Sequence, residues 1–266
     1  MRVLTLGVFL AASLAAVELK QKTLAAFDRY VSQTQAQLDE GRKSGRLLWA
    51  DRLAPARREE LRRGGVLIDS LAGRDARAPD GLIHHWVGAV FIPGASMGQA
   101  LALVQDYDRH EKVFRPEVIG SKLLRRTGDE SEVFLRFFKK KVIAVVLNSN
   151  HLVRYHPLDG RRAYARSNMT RVAEVEEAGN PDGPEKPAGQ DHGFLWRIFS
   201  EWRFEERDGG VYMECESVSL TRDIPIGLGW LVGPFVRSLP RETLANTMTA
   251  ARDALGGGRA AAHRVQ

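Results

Sequence analysis

Gly94-Ala95-Ser96-Met97-Gly98 has the G-x-S-x-G spacing of a nucleophile elbow, where a strained strand-to-helix turn lifts a serine hydroxyl toward a substrate carbonyl. That device belongs to a parallel sheet with crossover helices, whereas a meander pattern follows here. Ser96 with Gln99 also spells an S-x-x-Q capping box, so the hydroxyl is expected to accept a backbone N–H at a helix start. His84 and His85 are strand neighbours and point to opposite faces, which prevents them from sharing a metal. Asp106, Asp108, His110 and Glu111 are metal-binding or acid–base types, but their spacing spreads them around a helix and no H-E-x-x-H occurs. A solvated helix face is expected for them. Gly227-Leu228-Gly229-Trp230 with Gly233 lacks the G-x-G-x-x-G spacing and follows Pro225, so a dinucleotide turn is not expected. A single cysteine, Cys215, excludes an internal disulfide, a Cys-cluster zinc site and a C-x-x-C redox pair. No catalytic residue, metal or cofactor is assigned on these grounds.

The elements that position these residues begin after an N-terminal segment of another kind. Arg2, the apolar run Val3 to Leu14 and small residues at Ser13, Ala15 and Ala16 follow the order of a secretory signal peptide. Residues 1–15 are therefore expected to be removed after Ala15, with the mature protein exported to the periplasm or secreted. Twelve helical residues rise about 18 Å, too short for a bilayer core of about 30 Å. Between Glu18 and Leu38, Leu24, Phe27, Val31 and Leu38 recur at helical spacing, and Gly41 is expected to end the helix. A second short helix is expected from Pro55 to Arg63, stopped by Gly64-Gly65 before Val66-Leu67-Ile68. Arg57, Arg58, Arg62 and Arg63 suit peripheral contact with an anionic membrane as well as a solvated face; Glu59 and Glu60 favour the latter. Overall, 39 basic against 33 acidic residues in 266 give a net charge of +6, too thin an excess for a clustered nucleic-acid-binding face.

From Pro79-Asp80-Gly81 onward the pattern is coherent. Leu82 to Ile92 reads as a strand, Ser96 to Phe114 as helix, and then come strands at about 117–126, 131–140, 142–156, 161–177, 194–207 and 211–222. Short turns at Thr127-Gly128-Asp129-Glu130 and Arg207-Asp208-Gly209-Gly210 make consecutive strands antiparallel. The last element, about Gly227 to Leu255, is helical, with Leu244, Met248, Ala251 and Leu255 on one face and Gly256 placed to end it. The Pro- and Gly-rich stretch 179–187 is either a lid over an opening or a surface insertion.

Three stretches carry a family resemblance: Val104-Gln105-Asp106-Tyr107-Asp108-Arg109-His110 running into Arg115-Pro116-Glu117-Val118; Trp202-Arg203-Phe204-Glu205 with Asp208-Gly209-Gly210-Val211-Tyr212; and Leu220-Thr221-Arg222-Asp223-Ile224-Pro225. In this order the chain resembles the helix-grip fold of the START-like (SRPBCC) superfamily, which includes polyketide cyclases, coenzyme Q-binding proteins and the birch pollen allergen family. The resemblance covers about residues 82–255 and implies an α+β fold, a curved antiparallel sheet of about seven strands wrapped around a long C-terminal helix. It also implies a cavity between them for a lipid, sterol, quinone or polyketide-like ligand. The expected domains are a signal peptide (1–15), a helical N-terminal extension packing on the body (16–80), the helix-grip domain (81–256) and a disordered tail (257–266).

The Asp208-Gly209 turn sets which side chains would face such a cavity. With Arg207 opposite Gly210, Phe204 opposes Met213, Trp202 opposes Cys215 and Ser200 opposes Ser217 on one face, while Arg203 opposes Glu214 on the other. The alternative register would place Glu205 opposite Glu214, which like charges disfavour. Trp202, Phe204, Met213 and Cys215 are therefore expected inward, facing Trp230, Phe235, Leu244 and Met248 of the last helix. Tyr107 joins this set; Tyr107, Arg136 or a histidine is the candidate proton-transfer group for an enzyme, and Arg136 or Arg166 the partner for a polar ligand head. Arg222-Asp223 and Glu216 are either entrance residues or a structural ion pair. The strands at 133–138 and 142–147 are apolar on both faces, so the 18–80 segment is expected to cover their outer side. The leading functional expectation is an exported carrier of a hydrophobic small molecule. A cyclase- or aromatase-type enzyme using the same cavity, and an interaction module without ligand, are the competing ones.

Overall fold

The computed structural model describes the backbone of residues 4–72, 76–140, 144–187, 189–223 and 229–262, and side chains from 21 to 256 apart from 73–75, 77, 141–143, 188 and 224–237. In chain order the elements are α1 (Leu4–Lys43), α2 (Pro55–Arg62), β1 (Leu67–Ser70), β2 (Ala76–Ala78), β3 (Gly81–Pro93), α3 (Met97–Gln105) and α4 (His110–Val113). There follow β4 (Val118–Thr127), β5 (Glu130–Lys140), β6 (Ala144–Pro157), β7 (Arg162–Glu174), β8 (Arg197–Arg207), β9 (Gly210–Arg222) and α5 (Gly229–Ala262).

One antiparallel sheet runs in the spatial order β1-β3-β9-β8-β7-β6-β5-β4, with β2 also paired to β3. It thus holds nine strands; the two beyond the expected seven are β1 and β2, too short to show alternation in the sequence. Asp208 and Gly209 both take positive φ (55° and 75°), as a two-residue hairpin turn requires. The expected register follows: Arg207 opposes Gly210, Phe204 opposes Met213, Trp202 opposes Cys215 and Arg203 opposes Glu214. Ser96 caps α3 through a complete capping box, its hydroxyl accepting Gln99 N–H while the Gln99 side chain accepts Ser96 N–H. Helix α1 ends beyond Gly41, because the positive φ that closes it is supplied by Gly45: Gly45 N–H donates to Arg42 O and Arg46 N–H to Gly41 O. Likewise α5 runs past Gly256 to Ala262; a glycine weakens a helix without stopping it unless its backbone turns left-handed.

The inner face of the sheet grips α5. At Gly88 of β3 an added Cβ would lie 2.8 Å from Ile68 Cδ1 and 2.9 Å from Met248 Cγ, so the missing side chain sets how closely helix and sheet approach. Val90, Phe204, Met213, Leu244, Met248 and Ala251 fill the packed end of this layer.

The outer face is covered by the N-terminal elements. Phe27 and Val31 of α1 pack on Ile83, Phe199 and Val218, while Leu47, Leu48, Leu53 and Leu61 pack on Ala89, Phe91 and Tyr212. Between these patches lies a buried charge cluster. Arg203 donates to Glu214 (3.1 Å) and Glu216 (2.8 Å), Trp49 and Ala50 N–H donate to Glu214 (2.8 and 2.7 Å), and Arg42 and Arg166 donate to Glu201 (2.6 and 2.9 Å). This cover lies over β3, β9 and β8, and not over β5 and β6 as expected. The outer side of β5–β6 is instead crossed by the loop after β7, where Asn148 donates to Glu185 (2.9 Å) and Arg136 pairs with Asp182. Both aspects of the pattern are satisfied, but by a local return of the chain and not by the remote extension. Of the basic α2 residues, Arg57 pairs with Asp69 and Arg62 with Asp208.

Candidate functional site

Between the inner sheet face, the segment α3–α4 and the middle of α5 lies a cavity of about 570 Å³. Alternation along the strands builds its walls. Val133, Leu135 and Phe137 of β5 and Leu147 and Val153 of β6 give one apolar side, and Val104, Tyr107, His110 and Phe114 close its top. Ser167, Ser200, Ser217, Ser219 and Thr221 from β7, β8 and β9 give a second side, faced by Thr243 and Thr247 of α5. At the mouth, Asp191 to Leu195 follow the Pro-rich loop, with exposed Arg222 and Asp223 beside them. The tight backbone contact of Gly193 O with Arg222 N–H (2.7 Å) fastens that loop to the end of β9.

The expected residues divide among three places. Trp202, Cys215 and Tyr107 border the cavity. Phe204, Met213 and Met248 share the inward face but sit in the packed end, each 0% exposed, because α5 approaches the sheet closely there. Trp230 and Phe235 lie outside the described residues. Arg136 is a correction: Leu135 and Phe137 face the cavity, so alternation turns Arg136 outward, where it donates to Asn148 (2.8 Å). Arg166 is also outward, on Glu201 and Asp39, and Glu216 belongs to the outer charge cluster, accepting from Arg203 and bonded to His85 (2.9 Å). Neither arginine can meet a ligand head in the cavity.

Two histidines line the wall, giving numbers to the unspecified histidine of the enzyme expectation. His110 is 8% exposed, not on a solvated face; burial drives its pKa down to about 4, partly offset by the carbonyls of Leu103 and Val104. Its signal was present in the sequence, since Val104, Tyr107, His110 and Phe114 are spaced by three and four on one helical side. His151 is 5% exposed and burial likewise lowers its pKa to about 4. Ser149 donates to Leu135 O (2.9 Å) and therefore accepts from His151 Nε2–H (3.0 Å), which leaves Nδ1 as an acceptor facing Ser167 Oγ at 3.4 Å. Tyr155 donates to Val104 O (3.1 Å), so Tyr107 donates to Tyr155 (2.7 Å). Burial pushes Tyr107 up to about 12 and Tyr155 further up, and it pushes the Cys215 thiol to about 12. At neutral pH these groups are uncharged. Among the described residues no group of three His, Cys, Asp or Glu is arranged to hold a metal.

A curved antiparallel sheet holding a C-terminal helix over an apolar cavity defines the START-like helix-grip fold. No family model matches the chain, and no curated protein matches it. Solved structures that align with it include a STAR-related lipid transfer protein from Xanthomonas axonopodis, at 18% identity over 71% of this chain and 98% of that one, TM-score 0.47. Others are the Zhui aromatase/cyclase from Streptomyces sp. R1128 (13% identity, 69% and 96% covered, TM-score 0.44) and human STARD10 (10%, 79% and 82%, 0.44). With identities this low and TM-scores below 0.5, none of them assigns a ligand or a residue role to this chain.

Proposed function

We propose that the protein takes up a hydrophobic small molecule in the cavity between sheet and α5 and acts as a carrier or sequestering protein. The observation that carries this is the cavity itself: about 570 Å³, within the range of small-molecule sites, with walls that are predominantly apolar. Uptake removes apolar ligand surface from water at about 25 cal/mol per Å². Native mass spectrometry of the protein purified from its own source, followed by solvent extraction, is expected to recover a bound lipid-like compound. Repeated recovery of empty protein that also fails to take up the neutral dye Nile red would overturn the reading.

An enzyme of the cyclase type is the second reading, supported by Tyr107, Tyr155, His110 and His151 bordering the same space. Burial favours uptake without turnover, because imidazoles near 4 and phenols at 12 or above offer no acid–base pair matched to neutral pH. A recovered ligand that stays chemically unchanged during prolonged incubation with the protein fits the carrier; conversion of it fits the enzyme.

The carrier reading includes export, supported by Arg2, the apolar run Val3–Leu14 and Ala15. The mature protein from its own source is expected to begin at Ala16, and an intact N-terminus would contradict this. Among the described residues no helix is long and apolar enough to cross a membrane.

A further inference from the structure

The polar side of the cavity is not scattered. Ser167 opposes Ser200 and Ser200 opposes Ser217, giving a row of three hydroxyls across β7, β8 and β9. Ser217, Ser219 and Thr221 continue it along the inward positions of β9. Steps across the row are about 5 Å and steps along β9 about 7 Å. Ser200, Ser217 and Ser219 make no hydrogen bond to any described residue, although Ser219 is only 6% exposed and all three border the cavity. These hydroxyls are open to the cavity and have no protein partner, so water or the polar atoms of a bound molecule must meet them, and an apolar surface laid against them would leave them unpaired. Thr243 and Thr247 face it with their protons already committed to Leu239 O and Thr243 O (2.8 Å each), so their oxygens can only accept.

Most ionisable groups of the wall have partners or are neutral. Lys139 pairs with Glu117, His110 and His151 are uncharged at neutral pH, and His151 presents Nδ1 as an acceptor toward Ser167. His84, opposite Ser219, is bonded to the Thr221 hydroxyl (3.0 Å), and at the mouth Asp191 accepts from Gly193 N–H and Trp196 Nε1–H, beside His192 and exposed Asp223. Arg222 stands exposed at the mouth. The interior therefore has one apolar side and one neutral, hydroxyl-lined side.

We propose that this cavity selects an uncharged amphipath carrying several hydroxyl or carbonyl oxygens along one edge of an apolar body, with Ser200, Ser217 and Ser219 as the residues that select it. The proposal rests on the uptake reading and narrows its ligand class. The competing occupant is a fatty-acid carboxylate anchored at Arg222.

The test uses the full chain and three probes: a cholestane triol with all hydroxyls on one ring face, the parent cholestane, and oleate. Binding is followed by native mass spectrometry and by the fluorescence of Trp86 and Trp202, which border the cavity. The triol is expected to bind at least about tenfold more tightly than cholestane, the effect of two neutral hydrogen bonds. Ser200→Ala with Ser217→Ala should reduce that preference to below about threefold by weakening the triol, with cholestane bound no more weakly than before. These substitutions break no hydrogen bond within the described protein, and Ser219→Ala alone provides a milder check. Equal affinity for triol and cholestane, a preference that survives the double substitution, or tightest binding of oleate with loss on Arg222→Gln would each overturn the proposal while leaving uptake intact. Failure of all three probes and of Nile red would overturn the uptake reading itself.

Discussion

Arg203 has its guanidinium against Glu214 and Glu216, with Glu201 at 4.0 Å, and is 1% exposed. Burial alone would lower its pKa, but the three carboxylates raise it, so it stays charged. Arg203→Met should cost about 3–5 kcal/mol in denaturant unfolding, since it strands buried carboxylates, and adding Glu214→Gln should recover part of the loss. Trp202 and Phe204 are two positions apart on one face of β8 yet have different surroundings. Phe204→Ala should cost about 3–5 kcal/mol of stability. Trp202→Ala should instead change ligand uptake with a smaller loss of stability, and Arg136→Ala should leave uptake unaltered. The faces of Trp202, Arg203 and Phe204 were legible from the turn at Asp208-Gly209, whereas that of Arg136 was not, because its strand is apolar on both sides and shows no alternation. Depth along the strand was not, because a period of two fixes the side of a sheet and says nothing about where the gripped helix lifts away from it.

At the scale of elements, the contact between α5 and β3 is set by Gly88. Gly88→Val should drive its new methyls into Ile68, Leu244 and Met248, costing about 1–3 kcal/mol and shifting α5, with ligand affinity altered in the same variant. Unchanged melting temperature and affinity would show that the helix is not held there. Order and type of the long strands, and the hairpins at Gly128 and Gly209, could be read from alternation and turn glycines; the pairing of β3 with β9 could not, because no short turn joins them. The placement of the N-terminal cover could not, because apolar residues on both faces announce that something packs there without naming the partner. Removing residues 17–80 uncovers Phe199, Val218 and Tyr212 together with the charges of Glu201 and Glu214. Aggregation or a large fall in melting temperature is expected, and a soluble, equally stable remainder would refute the role of cover.

At the scale of the molecule, acid stability follows from which groups are held uncharged or charged. His110 and His151 have folded pKa values near 4 against 6.5 in the open chain, so between those values the unfolded state binds protons that the native state refuses. Their contribution is complete above pH 6.5 and is lost as pH falls toward 4, by up to about 3 kcal/mol each. Burial raises Glu216, but His85 and Arg203 outweigh it and hold the carboxyl down to about 2. Its contribution is present above pH 4.5 and is lost between there and about 2. A melting profile should therefore fall in two stages, and His151→Gln should flatten the upper one. A single transition below pH 4 would contradict the assignment.

The bonds from Trp49 and Ala50 N–H to Glu214 join partners 165 and 164 residues apart. A chain emerging N-terminus first has no acceptor for these amides, and no Arg203–Glu214 pair beneath its first helices, until β9 has been released. The N-terminal third must wait for the last hairpin, which makes folding slow and late. Under the export proposed above, that delay would keep the chain in the unfolded form that a membrane channel accepts.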